Sequence, residues 1–246
     1  MLAILTDIHA NREALSACLE HAEQRGATRY AFLGDFVGYG ADPAWVIDTI
    51  TQYVNQGAIA LMGNHDQAII APLRDSMNPQ AQQVVTWTKT QLNQTQQAFI
   101  QALPFTHTED EILFVHANAW HPPGWEYIDG IVEAGRSLNA TRATLTFCGH
   151  MHEPMLYHAA INGRVADFQP VAGTSIRLSN RRRWLCIPGS VGQPRDGNPA
   201  ACYALYDPLE MVLTTHRVPY DHASAAAKIR AAGLPAFLAD RLALGH

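Results

Sequence analysis

Short apolar runs alternate with segments of helical periodicity through the first quarter of the chain. Residues 2–6, 30–33 and 58–62 are brief, mostly apolar and end abruptly in polar residues, as buried strands do. Between them, apolar residues of 11–25 recur at intervals of three and four, and Pro43 opens a second helical segment that runs to about residue 56. This alternation predicts an α/β fold with parallel strands in this half.

The pattern changes after the third predicted strand. Residues 67–104 are rich in Gln and Thr and have apolar residues at roughly helical intervals, which predicts a helical insertion packed beside the core. The chain then turns strand-rich, and it ends in two short helices that are broken near Gly233. The later strands are predicted at residues 112–115, 144–147, 164–168, 184–187, 202–206 and 211–217. No internal repeat is apparent, so residues 1–246 are predicted to form a single domain with two sheets flanked by helices.

Composition narrows the class of protein. Hydrophobic residues make up 48% of the chain and charged residues 16%, so a sizeable core is expected. A net charge of −5 gives no general attraction to nucleic acid. Four scattered cysteines without CxxC spacing fit neither a zinc ribbon nor a disulfide framework. No signal peptide or long apolar stretch is apparent, so we expect a cytoplasmic protein without a membrane span.

Ligand-type polar residues directly follow five of the predicted strands. They are Asp7 and His9, then Asp35, then Asn64 with His65 and Asp66, then His116, and finally His150 with His152. The strand ends of an α/β sheet converge on one edge, so these side chains are expected to meet there. Gly34, Gly63 and Gly149 are expected to let the backbone turn sharply at these points. One such residue is more often structural than functional, but five such strand ends are hard to obtain by chance.

The chemistry of this set points to metal ions. Carboxylates and imidazoles without thiolates suit Mn²⁺, Fe, Zn²⁺ or Mg²⁺ better than a structural zinc site. The donors are too many for one ion and about the right number for two ions that share a carboxylate.

The ordered motifs also resemble those of a known family. They are Asp7-Ile8-His9, Gly34-Asp35, Gly63-Asn64-His65-Asp66, Val115-His116 and Gly149-His150-Met151-His152. This series is similar to that of the calcineurin-like metallophosphoesterase superfamily. Residues 188–196 resemble its small prokaryotic branch, often labelled phosphodiesterase or diadenosine tetraphosphatase-like. The resemblance implies a four-layer αββα sandwich, in which two mixed β-sheets are flanked by helices and carry a dimetal site above the strand ends.

The resemblance also implies a role for each ligand. One ion would be held by Asp7, His9 and His152, the other by Asn64, His116 and His150, and Asp35 would bridge the two. Mn, Fe and Zn are the favoured metals, with Mg, Ni and Co left open. A hydroxide held between the ions would attack phosphorus in line.

His65 is not a ligand in the family. Its implied role is to protonate the leaving oxygen or to stabilise charge on it, with simple packing as the alternative. Residues 36–40 lack the Asp-Arg pair that Ser/Thr protein phosphatases carry after Gly-Asp. This argues against a protein phosphatase and leaves His65 without an identified orienting partner. A smaller departure is Ala10, where the branch usually has Gly.

Three features of the sequence are candidates for contacts with the substrate. Asn11 would donate to a phosphate oxygen or cap a helix. Arg195 would grip the phosphate or form an ion pair with Asp196 or another carboxylate. The aromatic loop at 117–127 would stack a leaving group or simply anchor the chain.

The sequence therefore predicts a dimetal phosphoesterase. Its substrates would be small phosphate mono- or diesters, with nucleotides and dinucleoside polyphosphates among the candidates, and no strong nucleic-acid binding is expected. Two alternatives are a metal-binding scaffold that interacts with proteins and a nuclease acting on small nucleic-acid ends. All seven ligand positions and His65 are filled with suitable residues, which counts against the scaffold, and the acidic balance counts against the nuclease.

Overall fold

The strands and helices follow the alternation expected from the apolar pattern. The computed structural model describes residues 1–72 and 78–246. Its strands are β1 Leu2–Leu5, β2 Arg29–Phe32, β3 Ile59–Ala60, β4 Thr106–Glu109, β5 Ile112–Val115, β6 Leu145–Phe147, β7 Pro154–Ala159, β8 Val165–Phe168, β9 Ser175–Arg177, β10 Arg183–Pro188, β11 Ala201–Asp207 and β12 Val212–Val218. Its helices are α1 Arg12–Gln24, α2 Pro43–Asn55, α3 Asn64–Ile70, α4 Pro79–Gln91, α5 Gln94–Gln101, α6 Ile131–Asn139, α7 His222–Ala231 and α8 Ala236–Leu244.

The described strands form two mixed sheets. The first has the order β3-β2-β1-β11-β12-β9 and the second the order β4-β5-β6-β10-β7-β8. As predicted for the first half, β1 pairs in parallel with β2, and β2 with β3. In the second sheet β6 pairs in parallel with both β5 and β10. The remaining ladders are antiparallel.

Alternation along β1 divides the core into layers. Leu2 and Ile4 pack with Phe114 and Phe147 of the second sheet, which places one apolar cluster between the sheets. Ala3 and Leu5 point the other way, into a cluster with the buried face of α1. On the far side of the second sheet, α6 packs against β5 and β10. The four-layer αββα sandwich is therefore confirmed.

The segment predicted as a helical insertion contains most of α3 and all of α4 and α5. The Asn78 side chain caps α4 by accepting a hydrogen bond of 2.8 Å from the Ala81 amide. Asn93 caps α5 and forms a capping box with Gln96. Residues 73–77 of this predicted insertion lie outside the described part of the chain. Two helices at the end of the chain, α7 and α8, pack on α4 through a small apolar cluster that includes Val84, Ile229 and Leu238.

Candidate active site

The ligand-type residues gather at one end of the sandwich. Those at the ends of β1, β2 and β3 come from the first sheet, whereas His116 and His150 follow β5 and β6 of the second. The ligand-type residues therefore come from strand ends of both sheets, whereas a single sheet edge was expected. The His150 amide joins the two groups by donating to Asp7 Oδ2 at 3.0 Å, and within the second group Gly149 donates to the His116 carbonyl at 2.7 Å.

The side chains form two overlapping donor groups. In one, ligand atoms of Asp7, His9, Asp35 and His152 lie within 4.8 Å of one another. In the other, the same holds for Asp35, His116 and His150. The Asn64 amide oxygen lies 3.2 Å from His116 Nε2, which adds it to the second group. The structure thus brings all seven predicted ligands together, and Asp35 belongs to both groups.

Backbone carbonyls fix the tautomers of three imidazoles. Nδ1 lies 3.3 Å from the Val37 oxygen in His9, 2.8 Å from the Leu33 oxygen in His116 and 2.6 Å from the Gln193 oxygen in His152. A carbonyl can only accept, so each Nδ1 carries the proton. The Nε2 atoms then present lone pairs to the site, as metal-binding histidines require.

His150 is oriented the other way. Its Nε2 lies 3.0 Å from the Trp125 carbonyl and therefore donates to it, which leaves Nδ1 as the ligand atom. The Tyr127 ring stacks on the His150 imidazole with centroids 4.2 Å apart. This ligand is consequently held by the aromatic loop at residues 117–127.

The carboxylates are held just as firmly. Asp35 Oδ1 accepts the backbone N–H of His65 at 2.9 Å, in the first turn of α3, where unpaired amides favour negative charge. Asp66 accepts from the Phe36, Val37 and Gly63 amides. Asp66 therefore ties the second and third strand ends together and does not orient His65.

The electrostatics of the cluster match a cation site. Burial, and secondarily the neighbouring Asp35, raise the pKa of Asp7 to about 7, which shows how unfavourable two buried carboxylates are without a cation. Burial acts to lower the pKa of His116, but Asp35 and Asp7 outweigh it and raise the pKa to about 9. Burial lowers the pKa of His150 to about 3 and brings that of His9 well below its usual value. Burial thus favours the neutral, metal-binding form of His9 and His150, whereas at His116 a bound cation would replace the proton that Asp35 and Asp7 favour.

The backbone at the ligands is unusual. Asp7, His9, Asp35, His150 and His152 all have positive φ angles, between 50° and 70°. Such angles are uncommon outside glycine and cluster at functional sites.

The expected role of the glycines is confirmed only in part. Gly34 turns with a φ of +102°, as predicted. Gly63 and Gly149 are not among the residues with positive φ; they provide space, since a Cβ there would collide with Asp35 and Thr6 respectively.

His65 stands at the rim of the donor groups. Its half-buried ring lies 4.4 Å from the Tyr39 ring and 5.0 Å from that of His9, between centroids. Gly38 covers it so closely that a Cβ there would approach Nδ1 to 2.7 Å. Within residues 1–72 and 78–246, no group hydrogen-bonds to the His65 ring, so packing orients it.

Asn11 and Arg195, the two side chains predicted to contact substrate, have different surroundings in the structure. Asn11 Oδ1 accepts from the Ala14 amide at 3.1 Å, and Nδ2 donates to the Gly192 carbonyl and the Tyr220 hydroxyl. The whole amide is thus used in capping α1 and fixing the 188–196 loop, which is the helix-cap alternative. A direct phosphate contact by Asn11 stays a prediction.

Arg195 is free of carboxylates among the described residues. Asp196, its suggested partner, pairs with Arg217 instead. The Arg195 guanidinium donates to Gln193 Oε1 at 3.1 Å and lies 5.9 Å from the centre of the Tyr39 ring, while its Nε is buried without a hydrogen-bond partner.

Sequence reasoning missed Tyr39 and did not specify the contacts of Trp125 and Tyr127. Tyr39 lies between His9 and His65, Trp125 supplies the carbonyl to His150, and Tyr127 stacks on that ligand. Tyr127 and Trp125 belong to the aromatic loop, whose remaining indole, Trp120, pairs with Glu126 and Arg136 as an anchor. The positions in this loop did suggest aromatic contacts, but nothing in the sequence pointed to Tyr39.

Buried Asp and His donors above the strand ends of an αββα sandwich define a metallophosphoesterase. Comparison with known proteins agrees: the model of the calcineurin-like phosphoesterase superfamily domain matches residues 1–210, and the chain belongs to this superfamily. It is a metal-dependent phosphoesterase, a hydrolase.

Relatives match along the full length. A metallophosphoesterase from Sphaerobacter thermophilus has 35% identity and a TM-score of 0.89, with 100% of this chain and 98% of that one covered. An uncharacterised protein of Methanocaldococcus jannaschii is 33% identical over 256 residues, again with 100% and 98% covered. A hypothetical protein from Pyrococcus horikoshii has 18% identity and a TM-score of 0.78, with 100% and 99% covered, and shows the shared fold. No helix in residues 1–72 or 78–246 has the length and hydrophobicity to span a membrane.

Proposed function

We propose that the protein binds two divalent ions and hydrolyses small phosphate mono- or diesters. Asp7, His9 and His152 would hold one ion, Asn64, His116 and His150 the other, with Asp35 between them. The observation that carries this proposal is that Asp35 belongs to both donor groups. Oxygen and nitrogen donors without thiolates favour Mn, Fe or Zn, with Mg, Ni or Co as further options.

Two such ions, when bound, supply a Lewis acid for the phosphoryl oxygens and a water acidic enough to be a nucleophile near neutral pH. The chain itself must hold the donors rigid and keep the imidazoles neutral. For His9, His116 and His152 the carbonyl contacts hold each ring and keep a proton on Nδ1, and burial of His9 and His152 disfavours a second proton on Nε2.

His65 is the proposed acid for the leaving group. It is not tied to a carbonyl as the ligands are, and its ring stands at the boundary between the donor groups and an adjoining pocket. Burial lowers the pKa of His65, so a leaving oxygen in that pocket would lie beside an imidazole that gives up its proton readily once it is protonated.

Arg195 is the proposed phosphate clamp. Its positive charge is near enough to His152 to be the second cause, after burial, that lowers the pKa of that imidazole. Arg195 has no carboxylate partner among the described residues, and the guanidinium donors that are not bound to Gln193 would serve phosphate oxygens.

The superfamily membership and the assembled donors count against a non-catalytic scaffold. The deciding experiment combines metal analysis with turnover of p-nitrophenyl phosphate and its bis-ester after Mn²⁺ is added. The purified chain should carry close to two equivalents of metal, as the surplus of donors over one ion requires. Asp35→Asn should lower metal content and rate together, since both groups lose a charged ligand.

Asp167→Asn is the matched control, because this carboxylate lies on the exposed part of β8. It should change neither quantity. Full metal content with undiminished turnover in Asp35→Asn would contradict the bridging assignment. A chain that binds no metal and is inert with every metal tested would overturn the proposed mechanism.

A further inference from the structure

A pocket of about 440 Å³ opens beside the donor groups. Asn64 and His65 form its inner end, and α3, α4 and α8 form its walls. Its volume is in the range of small-molecule binding sites. Because His65 faces it, this pocket is where the leaving group of a substrate would lie under the proposed function.

The walls are largely apolar and carry three aromatic side chains besides His65, those of Tyr39, Trp125 and Phe237. Val84, Val85 and Leu238 line them together with Trp125 and Phe237. Trp125 is held in place because its indole N–H donates to Gln67 Oε1 at 2.8 Å, and its ring lies edge-on to the ligand His116, 5.6 Å away. A flat apolar group could therefore extend outward from the phosphate along these rings.

Among the described residues, Arg241 is the arginine that lines the pocket. The Arg241 guanidinium lies 5.3 Å from the centre of the Phe237 ring and has no carboxylate partner within the described ranges. Its neighbour in sequence, Asp240, pairs with Arg230 instead. An unpaired guanidinium beside an apolar wall favours an acidic or acceptor group on the bound molecule.

We infer that this pocket selects phosphoesters whose leaving group is a planar aromatic body with an acidic or acceptor substituent. Phe237 and Trp125 contact the ring, and Arg241 binds the substituent. This inference rests on the proposed function for its connection to catalysis, but the binding of such a group can be measured without turnover.

The test uses two fluorescent alcohols that differ only in a carboxylate, 2-naphthol and 6-hydroxy-2-naphthoate. Titrated into the full-length protein, the carboxylate-bearing alcohol should bind about tenfold more tightly, as one added charge-assisted contact allows. Arg241→Gln should abolish that preference. Phe237→Ala should weaken the binding of both alcohols by about fivefold to tenfold through lost ring stacking.

Matched controls are available in the chain. Phe168→Ala removes a ring that is 39% exposed, against 38% for Phe237, but on strand β8. Arg142→Gln removes an exposed charge from the loop that precedes β6, outside the pocket lining. Neither change should alter the binding of either alcohol. Ala81→Trp on α4 adds a large side chain that fills the pocket and removes no existing contact, so it should prevent both alcohols from binding.

Kinetics with the phosphate esters of the two alcohols test whether binding in the pocket affects hydrolysis. Ethyl phosphate serves as a reference ester with a small leaving group. The pocket variants should raise KM for the naphthyl esters and leave ethyl phosphate unaffected. Alcohols that fail to bind, or that bind equally to wild type, Arg241→Gln and Ala81→Trp, would overturn the inference. Intact binding of both alcohols with no ester hydrolysed would instead contradict the proposed function alone.

Discussion

The metal-ligand cluster and the adjoining pocket are built in opposite ways. In the cluster, Asp7, Asp35 and His116 are buried, held by backbone bonds and, for the two aspartates, in strained conformations. In the pocket wall, Phe237 is partly exposed and Arg241 is unpaired among the described residues. The rigid metal donors determine which reaction can take place. The adaptable side chains of the surrounding pocket can determine which substrate reacts.

The two regions also differ in their place along the chain. The family model ends at residue 210, whereas α8, which carries Phe237 and Arg241, begins at Ala236. The ligands all precede that limit. Substrate selection in this protein would therefore depend on a wall added outside the part that defines the superfamily.

Among the predicted changes, the largest loss of turnover is expected for a substitution of His65, which lies where the metal-ligand cluster borders the pocket. His65→Ala should keep both metal ions but slow turnover by 10²–10⁴-fold, roughly 3–5 kcal/mol of barrier. The loss should be smallest for p-nitrophenolate, which needs little protonation, and largest for a poor alkoxide. Rates across a leaving-group series, with metal analysis of the same samples, provide the measurement.

His121→Ala is the control for His65→Ala, because this histidine is 63% exposed and pairs only weakly with Glu126. It should leave metal content unchanged and affect substrate preference at most. Equal losses across the leaving-group series in His65→Ala would remove the acid role and leave positioning or charge stabilisation. Loss of metal in that variant would make His65 a ligand.

A smaller effect should test how rigid the cluster is. In Gly63→Ala the new methyl group collides with the Asp35 carboxylate, so the shared ligand must shift. Metal affinity should fall by about 10–100-fold, as when the support of a ligand is lost. Gly130→Ala is the control, since only Glu133 Oε2, 3.8 Å away, lies near its added Cβ. Equal affinity in both variants would show that the cluster tolerates displacement.

This contrast also explains what the sequence could predict. Ligands such as Asp7 and His116 follow apolar strands directly, so a one-dimensional pattern locates them before any fold is known. The strand β5 was predicted with the correct ends, and most others to within two residues. The sandwich and the donor set were predictable because buried strands and metal donors are each restricted to few residue types.

Three strands were missed, the central strand β7 and the edge strands β4 and β9, and the two edge strands lack such restriction. Strand β4, with the sequence Thr-His-Thr-Glu, is an edge strand whose residues are mostly exposed, so no apolar run indicates it. Strand β9 is a three-residue edge strand. The pocket was equally hidden, because Trp125 and Phe237 are far apart in sequence and only the packing of α8 near α4 brings them to one cavity.

The smallest expected effect concerns how the pocket wall is held to the rest of the protein. Lys228 of α7 forms ion pairs with Glu13, in the first turn of α1, and with Asp42, which precedes α2. The lysine side chain is 37% exposed, so Lys228→Gln should lower the free energy of unfolding by only ~0.5 kcal/mol after solvent screening. Burial acts to lower the pKa of Lys228, but bonds to Asp42 and Glu13 outweigh it and raise the pKa above 10.5.

The sign of the pH dependence follows from that shift. A raised pKa in the folded state means that the ion pairs contribute fully below 10.5 and are lost as the pH rises through the folded-state value. The difference in Tm between wild type and Lys228→Gln should therefore be constant from about pH 7 to pH 10 and vanish at higher pH. Turnover of small esters should be unchanged, because Ile229 and Leu238 still pack α7 and α8 against α4. A loss of more than about 2 kcal/mol would contradict this, since exposed pairs rarely contribute that much, and would make the ion pairs the main attachment of the wall.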